Sequence, residues 1–156
     1  MTQNTVQSSY GRYMAAGVVG AFADMSSWDA DTRQCESEAI GFGLAVSQGA
    51  GDLGAILGGI TFKGISVRDI TLVHADADQY EEGDNMAVAV RGDIWVAAKG
   101  AVVAAHQAYY NSTTGEIGPS TISNAVAIAG ATFLDSGADT DKVRVRLSNA
   151  AGDLTS

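Results

Sequence analysis

The chain has 156 residues with 46% hydrophobic side chains, one cysteine and a net charge of −9. Cys35 alone can form neither an intrachain disulfide nor a zinc site of several cysteines, and the negative charge repels phosphate backbones, which disfavours a nucleic acid as partner. The sequence shows no run of about 18 apolar residues and no secretory leader. We therefore expect one soluble domain, made in a cytoplasm, with no membrane partner.

Residues 1–35 differ in composition from the rest of the chain. They are rich in Ser, Gln, Asn, Gly and Ala and carry isolated large apolar side chains, which predicts an extended, partly irregular N-terminal arm. Apolar residues recur at every fourth position from Tyr10 to Phe22, so an amphipathic helix is the alternative. Glycines within that stretch would each cost a helix about 1 kcal/mol relative to Ala, which favours the arm.

From Ile40 onward, short apolar runs recur about every 8 to 12 residues between Gly, Asp and Asn, a spacing typical of sandwiches and barrels. The chain also contains 19 glycines and only one proline. We predict a mainly all-β fold, with a single small β-barrel or β-sandwich domain over residues 36–156. The predicted strands lie near 40–47, 60–66, 69–74, 86–91, 94–98, 101–104, 107–110, 125–134 and 142–148.

The clearest strand pair is predicted within residues 86–97. Two apolar runs flank Arg91-Gly92-Asp93, and the central glycine predicts the reversal of a β-hairpin. The same three residues match an adhesion tripeptide, but a hairpin turn explains them without a receptor.

The last predicted strand has a basic face. Lys142, Arg144 and Arg146 alternate with apolar residues, so they should point to one side while the apolar side chains point to the other. The cations could neutralise nearby acids such as Asp139 and Asp141. Alternatively, they could face carboxylates on a neighbouring subunit.

A glycine pattern in the first half of the domain matches a nucleotide-binding motif. Residues 49–54 read Gly-Ala-Gly-Asp-Leu-Gly, the pattern whose glycines admit a pyrophosphate to a helix N-terminus. Two adjacent glycines follow where that helix should run, and no βαβ unit surrounds the motif. A loop between strands is the favoured interpretation.

The two histidines give little indication of a metal site or a catalytic site. His74, Asp76 and Asp78 would share one side of an extended strand and could begin a divalent metal site, although turn composition favours a solvated loop. His106 lies between two apolar runs and is predicted to be a turn residue. No nucleophile, base and orienting group are brought together by any motif, so we expect no enzyme activity and no cofactor. Asn111-Ser-Thr113 is a glycosylation sequon without a predicted secretory route.

The order of these strand and turn segments resembles the structural cement (capsid-decoration) proteins of tailed bacteriophages. The similarity covers residues 38–147, about 70% of the chain. Where many relatives carry Gly-Asp before the tyrosine-containing strand, this chain has His106-Gln107, so that turn differs. The matching segments are residues 39–46, 58–69, 80–84, 90–96, 109–115, 130–133 and 143–147.

The resemblance implies a virion protein on the outer surface of an icosahedral head, bridging major capsid subunits, made in the host cytoplasm. It also implies a homo-oligomer, with a trimer favoured and a dimer possible. The alternative is a carbohydrate- or receptor-binding β-barrel that uses Trp28, Trp95 and tyrosines for stacking. An enzyme built on His74 is the weakest hypothesis. The residues predicted to contact the capsid or another subunit are Tyr10, Tyr13, Phe22, Trp28, Lys142, Arg144 and Arg146.

Overall fold

A computed structural model describes residues 17–24, 27–37, 39–71 and 79–148. These residues contain eleven β-strands and no helix, which confirms the all-β prediction. The strands are β1 (Asp29–Cys35), β2 (Ala39–Gly41), β3 (Ala45–Gln48), β4 (Gly54–Leu57), β5 (Phe62–Ser66), β6 (Gln79–Glu81), β7 (Asn85–Ala97), β8 (Gln107–Asn111), β9 (Ile117–Gly118), β10 (Ala125–Phe133) and β11 (Lys142–Leu147).

Five strands close into a barrel in the order β1-β4-β3-β5-β7, because β1 pairs with both β4 and β7. The β1–β4 pair is parallel and the other pairs are antiparallel. The separate β2–β6 pair adds the fully buried Ile40 and Tyr80 to the barrel core, which also contains Val46, Met86 and Val88. Of the two predicted architectures, barrel or sandwich, the structure has the barrel.

The sheet continues beyond the barrel through the long strand β7. Its second half pairs with β11, and the order then runs β11-β10-β8-β9. Lys99 follows β7 and donates its N–H to the carbonyl of Ile117 in β9, so this group of strands also curls back on itself. Apolar side chains such as Val96, Tyr110 and Phe133 fill the second core that it encloses.

The predicted hairpin at Gly92 is wrong, because β7 runs unbroken through this residue. Arg91 pairs with Asp29 of β1, whereas Gly92 pairs with Leu147 of β11, so the strand changes partners here. Gly92 has a φ of +117°, and a Cβ atom on it would lie 2.6 Å from the Cβ of Trp28. The glycine therefore permits a bend and a close approach within a continuous strand.

Other strand boundaries also differ from prediction. The single strand predicted over 40–47 is two strands, β2 and β3, separated by a turn. No strand forms at 101–104, where Val102 makes only an isolated bridge to Gly137. Of the strand predicted at 69–74, residues 69–71 belong to no β-strand, and residues 72–74 lie outside the described residues. The short strands β4, β6 and β9 were not predicted, and neither was β1.

The segment predicted as an arm contributes to the sheet. Residues 29–35 form β1, which pairs with β7 along most of its length. Residues 17–24 are not helical and lie along β7, where the Gly20 N–H donates to the Trp95 carbonyl at 2.8 Å and the Trp95 N–H donates to the Ala21 carbonyl at 3.0 Å. The boundary between arm and domain at residue 35 remains a prediction, and residues 1–16 lie outside the described residues.

Candidate interaction surface

The outward side of β7 and β11 forms a mixed polar face, here called the β7–β11 face. It consists of Asp93 and Trp95 from β7 and Lys142, Arg144 and Arg146 from β11. The alternation predicted for the last strand is confirmed, because Val143, Val145 and Leu147 are buried on the opposite side. The antiparallel register sets Arg144 directly opposite Trp95 and Arg146 directly opposite Asp93.

Arg146 neutralises a buried carboxylate. Its Nε donates to Oδ1 of Asp93 at 2.9 Å and its Nη2 donates to Oδ2 at 3.1 Å. The Asp93 side chain is 3% exposed, whereas that of Arg146 is 58% exposed. Hydrogen bonding to Asp93 raises the pKa of Arg146. The guanidinium therefore has a fixed orientation while much of it stays accessible to a partner.

Arg144 is held in the same manner by a different acid. Its Nε and Nη2 donate to the two carboxylate oxygens of Asp135 at 3.0 and 2.8 Å, and its guanidinium carbon lies 5.8 Å from the centre of the Trp95 ring. These hydrogen bonds lower the pKa of the Asp135 carboxyl and raise that of Arg144. Trp95 is only 8% exposed, so it offers no stacking surface for a sugar.

The acids that neutralise the basic strand are therefore not those predicted from sequence. Asp139 accepts a hydrogen bond from the Gly100 N–H at 2.8 Å, and Asp141 accepts one from the Ala138 N–H at 2.9 Å. Both carboxylates fix turns, as acidic side chains commonly do when they follow a strand. Lys142 is exposed and makes no ion pair with the described part of the chain.

Two aromatic residues predicted as contact residues lie on the other side of β7 from this face. Phe22 and Trp28 stack with ring centres 4.5 Å apart, above Gly92. Phe22 packs against the second core and bridges to Ile94, whereas Trp28 is 49% exposed. Gly92 pairs with Leu147, whose side chain is buried on the side opposite the basic residues, so the stack with Trp28 lies on the other side of β7 from the β7–β11 face. Tyr10 and Tyr13 lie outside the described residues.

The glycine pattern at 49–54 binds an anion, but that anion is the chain's own Glu36. The Ala50 N–H donates to Oε2 of Glu36 at 2.7 Å and the Gly51 N–H donates to Oε1 at 3.0 Å. A Cβ atom on Gly49 or Gly54 would collide with the same carboxylate. The pattern is the turn of the β3–β4 hairpin, so its loop interpretation is confirmed.

The remaining motifs hold structural positions or lie outside the described residues. His106 is exposed in the turn before β8, as predicted. The Asn111 side chain accepts hydrogen bonds from the N–H groups of Thr113 and Thr114 at 2.7 and 3.1 Å, so it fixes the turn after β8. His74, Asp76 and Asp78 fall outside the described residues. Within the described ranges, no cluster of three potential metal ligands occurs.

No helix in the described ranges is long and apolar enough to cross a membrane.

Sequence reasoning missed the partners that shape the surface. Asp93 was assigned to a turn, and neither Asp135 nor Glu36 was singled out. The sequence did contain a signal for the contact between Asp93 and Arg146, because alternation along each strand places both side chains on the outward side. That signal becomes useful only once the pairing of β7 with β11 is known, which the sequence does not specify locally.

Comparison with known proteins identifies a family and a shared fold. The family described as "Structural cement protein (E217 gp24/Pam3 gp6)" matches residues 6–149. A chain of the solved structure "The capsid of Myoviridae Phage XM1" superposes with a TM-score of 0.70 at 16% identity, covering 93% of this chain and 98% of that one. A chain of "The crystal structure of head fiber gp8.5 N base in bacteriophage phi29" gives a TM-score of 0.45 at 12% identity, covering 79% and 96%. No curated protein sequence matches this chain.

Proposed function

Because the chain belongs to the family of phage structural cement proteins, we propose that it binds the outer surface of an assembled phage head and bridges neighbouring major capsid subunits. The observation that carries the proposal is the family match over residues 6–149, which spans nearly the whole chain. The protein is a structural component of the virion. In this proposal it is made in the host cytoplasm and acts by non-covalent contacts without a catalytic step.

The β7–β11 face and, on the other side of β7, Trp28 are the two contact surfaces in this proposal. Trp28 provides a half-exposed aromatic side chain directly before β1, stacked on Phe22, which suits a pocket on a partner. Unlike Arg144 and Arg146, Lys142 has no counterion among the described residues, so its ammonium group is available to a partner carboxylate. Arg146 keeps its charge exposed while Asp93 fixes its direction.

The arginines contribute mainly as shaped hydrogen-bond donors, since their charge is already balanced. Arg144 faces Asp135 and Arg146 faces Asp93, so the face carries far less net positive charge than three basic side chains suggest. Steering by long-range charge is therefore weak, and short-range fit provides most of the binding. A shell presents many equivalent sites, so a modest contact repeated by symmetry is sufficient for stable attachment.

The test compares two charge reversals of the same size on different faces. Lys142→Glu changes the β7–β11 face, and Lys63→Glu makes the same change on β5. Each variant is mixed with undecorated heads, which are then isolated by sedimentation and assayed for bound protein. We expect Lys142→Glu to lower occupancy and Lys63→Glu to bind normally. Normal occupancy for Lys142→Glu would remove the β7–β11 face from the proposal, and absence of wild-type binding to any head would refute the proposed function.

A further inference from the structure

The first half of β10 has a strand neighbour on one side only. Its early residues pair with β8 from Ala125 to Ala127, whereas pairing with β11 begins at Ala131. Strand β11 ends at Leu147, directly opposite Ala131. Residues 125–130 therefore have an open edge on the side away from β8, as far as the described part of the chain extends. We refer to this stretch as the β10 edge.

The hydrogen-bonding groups at this edge can be assigned from the register. The Asn124 carbonyl accepts a hydrogen bond from the Ser112 N–H at 3.1 Å. The backbone N–H and C=O groups of the even-numbered residues in this stretch therefore point toward β8. The N–H and C=O groups of Ala125 and Ala127 consequently point to the open side, because alternate residues of an antiparallel ladder bond in opposite directions. Within the described ranges, no backbone group bonds to them from that side.

The β10 edge also lacks charges and prolines, two of the features that normally keep strand edges apart. Residues 117–134 are the longest stretch of the chain without a charged side chain, and no proline lies within β10. By contrast, the exposed strand β1 carries Asp29, Asp31 and Arg33. Edge strands are usually blunted by charges, prolines or bulges, because an unprotected edge is a template for another strand. In a chain of net charge −9, two copies that approached each other through this edge would meet little repulsion.

The sequence of the edge is self-complementary. Residues 125–129 read Ala-Val-Ala-Ile-Ala, which has the same order of small and large side chains in both directions about Ala127. In antiparallel pairing about a twofold axis, Ala127 lies opposite Ala127 of the second copy and Val126 lies opposite Ile128. A twofold interface requires this kind of self-complementarity, since the same surface serves both partners.

We infer that the β10 edge binds a second copy of this chain, forming an antiparallel dimer whose sheet is continuous across a twofold axis. The bulge between Ala127 and Thr132, with Gly130 at a φ of +74°, marks the end of the paired stretch. Of the two oligomeric states that the sequence left open, this pairing gives the dimer. The dimer forms in free protein without a phage head, so the inference is tested independently of the proposed function.

The first experiment measures the mass of the full chain in solution. One chain has a mass of 16.0 kDa, and we expect analytical ultracentrifugation of the wild type to give twice that mass. Ala127→Lys places two ammonium groups opposite each other at the twofold axis, so it should shift the protein to monomer. Ala30→Lys makes the same change at an exposed position of β1 and should remain a dimer. A monomeric wild type, or an Ala127→Lys variant that stays dimeric, would overturn the inference.

A second experiment identifies the interface directly. Ala127→Cys places two thiols at directly opposed positions, whose Cα atoms lie about 5.5 Å apart in a hydrogen-bonded pair and so suit a disulfide. Under mild oxidation this variant should form a covalent dimer, and Ala30→Cys should not. A chain ending at Ser148 tests whether residues 149–156 occupy the edge instead. Dimerisation of the shortened chain but not of the full chain would assign the edge to those residues and overturn the inference.

Discussion

Replacing Gly92 with alanine tests whether β7 is one bent strand. Gly92 has a φ of +117°, and a Cβ atom there would lie 2.6 Å from the Cβ of Trp28. The positive φ alone costs an alanine about 1 kcal/mol. The collision forces Trp28 away from Phe22, and the lost stacking together with overpacking adds about 2 kcal/mol. We therefore expect Gly92→Ala to lower the free energy of unfolding by about 3 kcal/mol.

The chain contains a matched control for the steric part of this cost. Gly83 has a φ of +92°, and nothing lies within 4 Å of where its Cβ would be, so Gly83→Ala incurs only the backbone cost. For a domain of this size, about 1 kcal/mol corresponds to about 3 °C in Tm. We expect Gly83→Ala to lower Tm by about 3 °C and Gly92→Ala by about 9 °C, measured by thermal denaturation.

Tryptophan fluorescence provides a second readout for the same pair of variants. Gly92→Ala should change the native emission, because Trp28 must move, whereas Gly83→Ala should leave it unchanged. Equal losses of Tm in the two variants, with unchanged emission in both, would show that Gly92 sits in an ordinary turn and that the bend at Trp28 is not as described.

Two other substitutions test the internal anion contacts. Glu36→Ala removes the acceptor for the Ala50 and Gly51 N–H groups, so we expect a loss of about 2 kcal/mol in chemical denaturation, with the exposed Glu82→Ala as a control that changes little. Asp135→Asn tests the Arg144 contact by its pH dependence. Because the folded-state pKa of Asp135 lies below its ordinary value of 3.8, its stabilisation is present above that pH and disappears as the pH falls through the folded-state pKa. A wild-type advantage over Asp135→Asn that is equal at about pH 7 and about pH 2 would contradict this assignment.

Alternation along single strands was predictable, and pairing between distant strands was not. The basic and apolar sides of β11 follow from its sequence, because side chains in a strand alternate with period two. The spacing of the glycines also indicated the all-β class. Strand β1 escaped prediction because most of its residues are exposed on both faces, so no apolar alternation marks it. Its place between β4 and β7 is decided by tertiary pairing.

Glycines at two places have a structural role that the sequence alone does not reveal, and the physical cause is the same in both. At Gly92 a glycine was interpreted as a chain reversal, and at residues 49–54 the glycines matched a phosphate-binding pattern. In both places the glycine makes room for a specific side chain, Trp28 in the first case and Glu36 in the second. Sequence alone shows that a Cβ is missing, but the neighbour that requires the space comes from a distant part of the chain.

The structure also changes where the N-terminal segment should be cut to test its role. The hydrogen bonds between this segment and β7 begin at Gly20, and Gly17 packs against the Trp95 ring. A chain that begins at Gly17 keeps these contacts and the Phe22–Trp28 stack, so it should fold with a Tm close to that of the full chain. If residues such as Tyr10 and Tyr13 bind the capsid, this shortened chain should nevertheless decorate heads at reduced occupancy.

Removal of residues 1–30 should give a different result. This deletion exposes the edge of β7 at Asp93 and Trp95, removes the aromatic stack and shortens β1. Newly unpaired backbone groups and lost apolar burial should together lower the free energy of unfolding by several kcal/mol, about 3 or more. Thermal denaturation of both deletions beside head-binding assays separates folding from attachment. If the chain lacking residues 1–30 is as stable as the one beginning at Gly17, residues 17–30 serve attachment and the contacts with β7 are not structural.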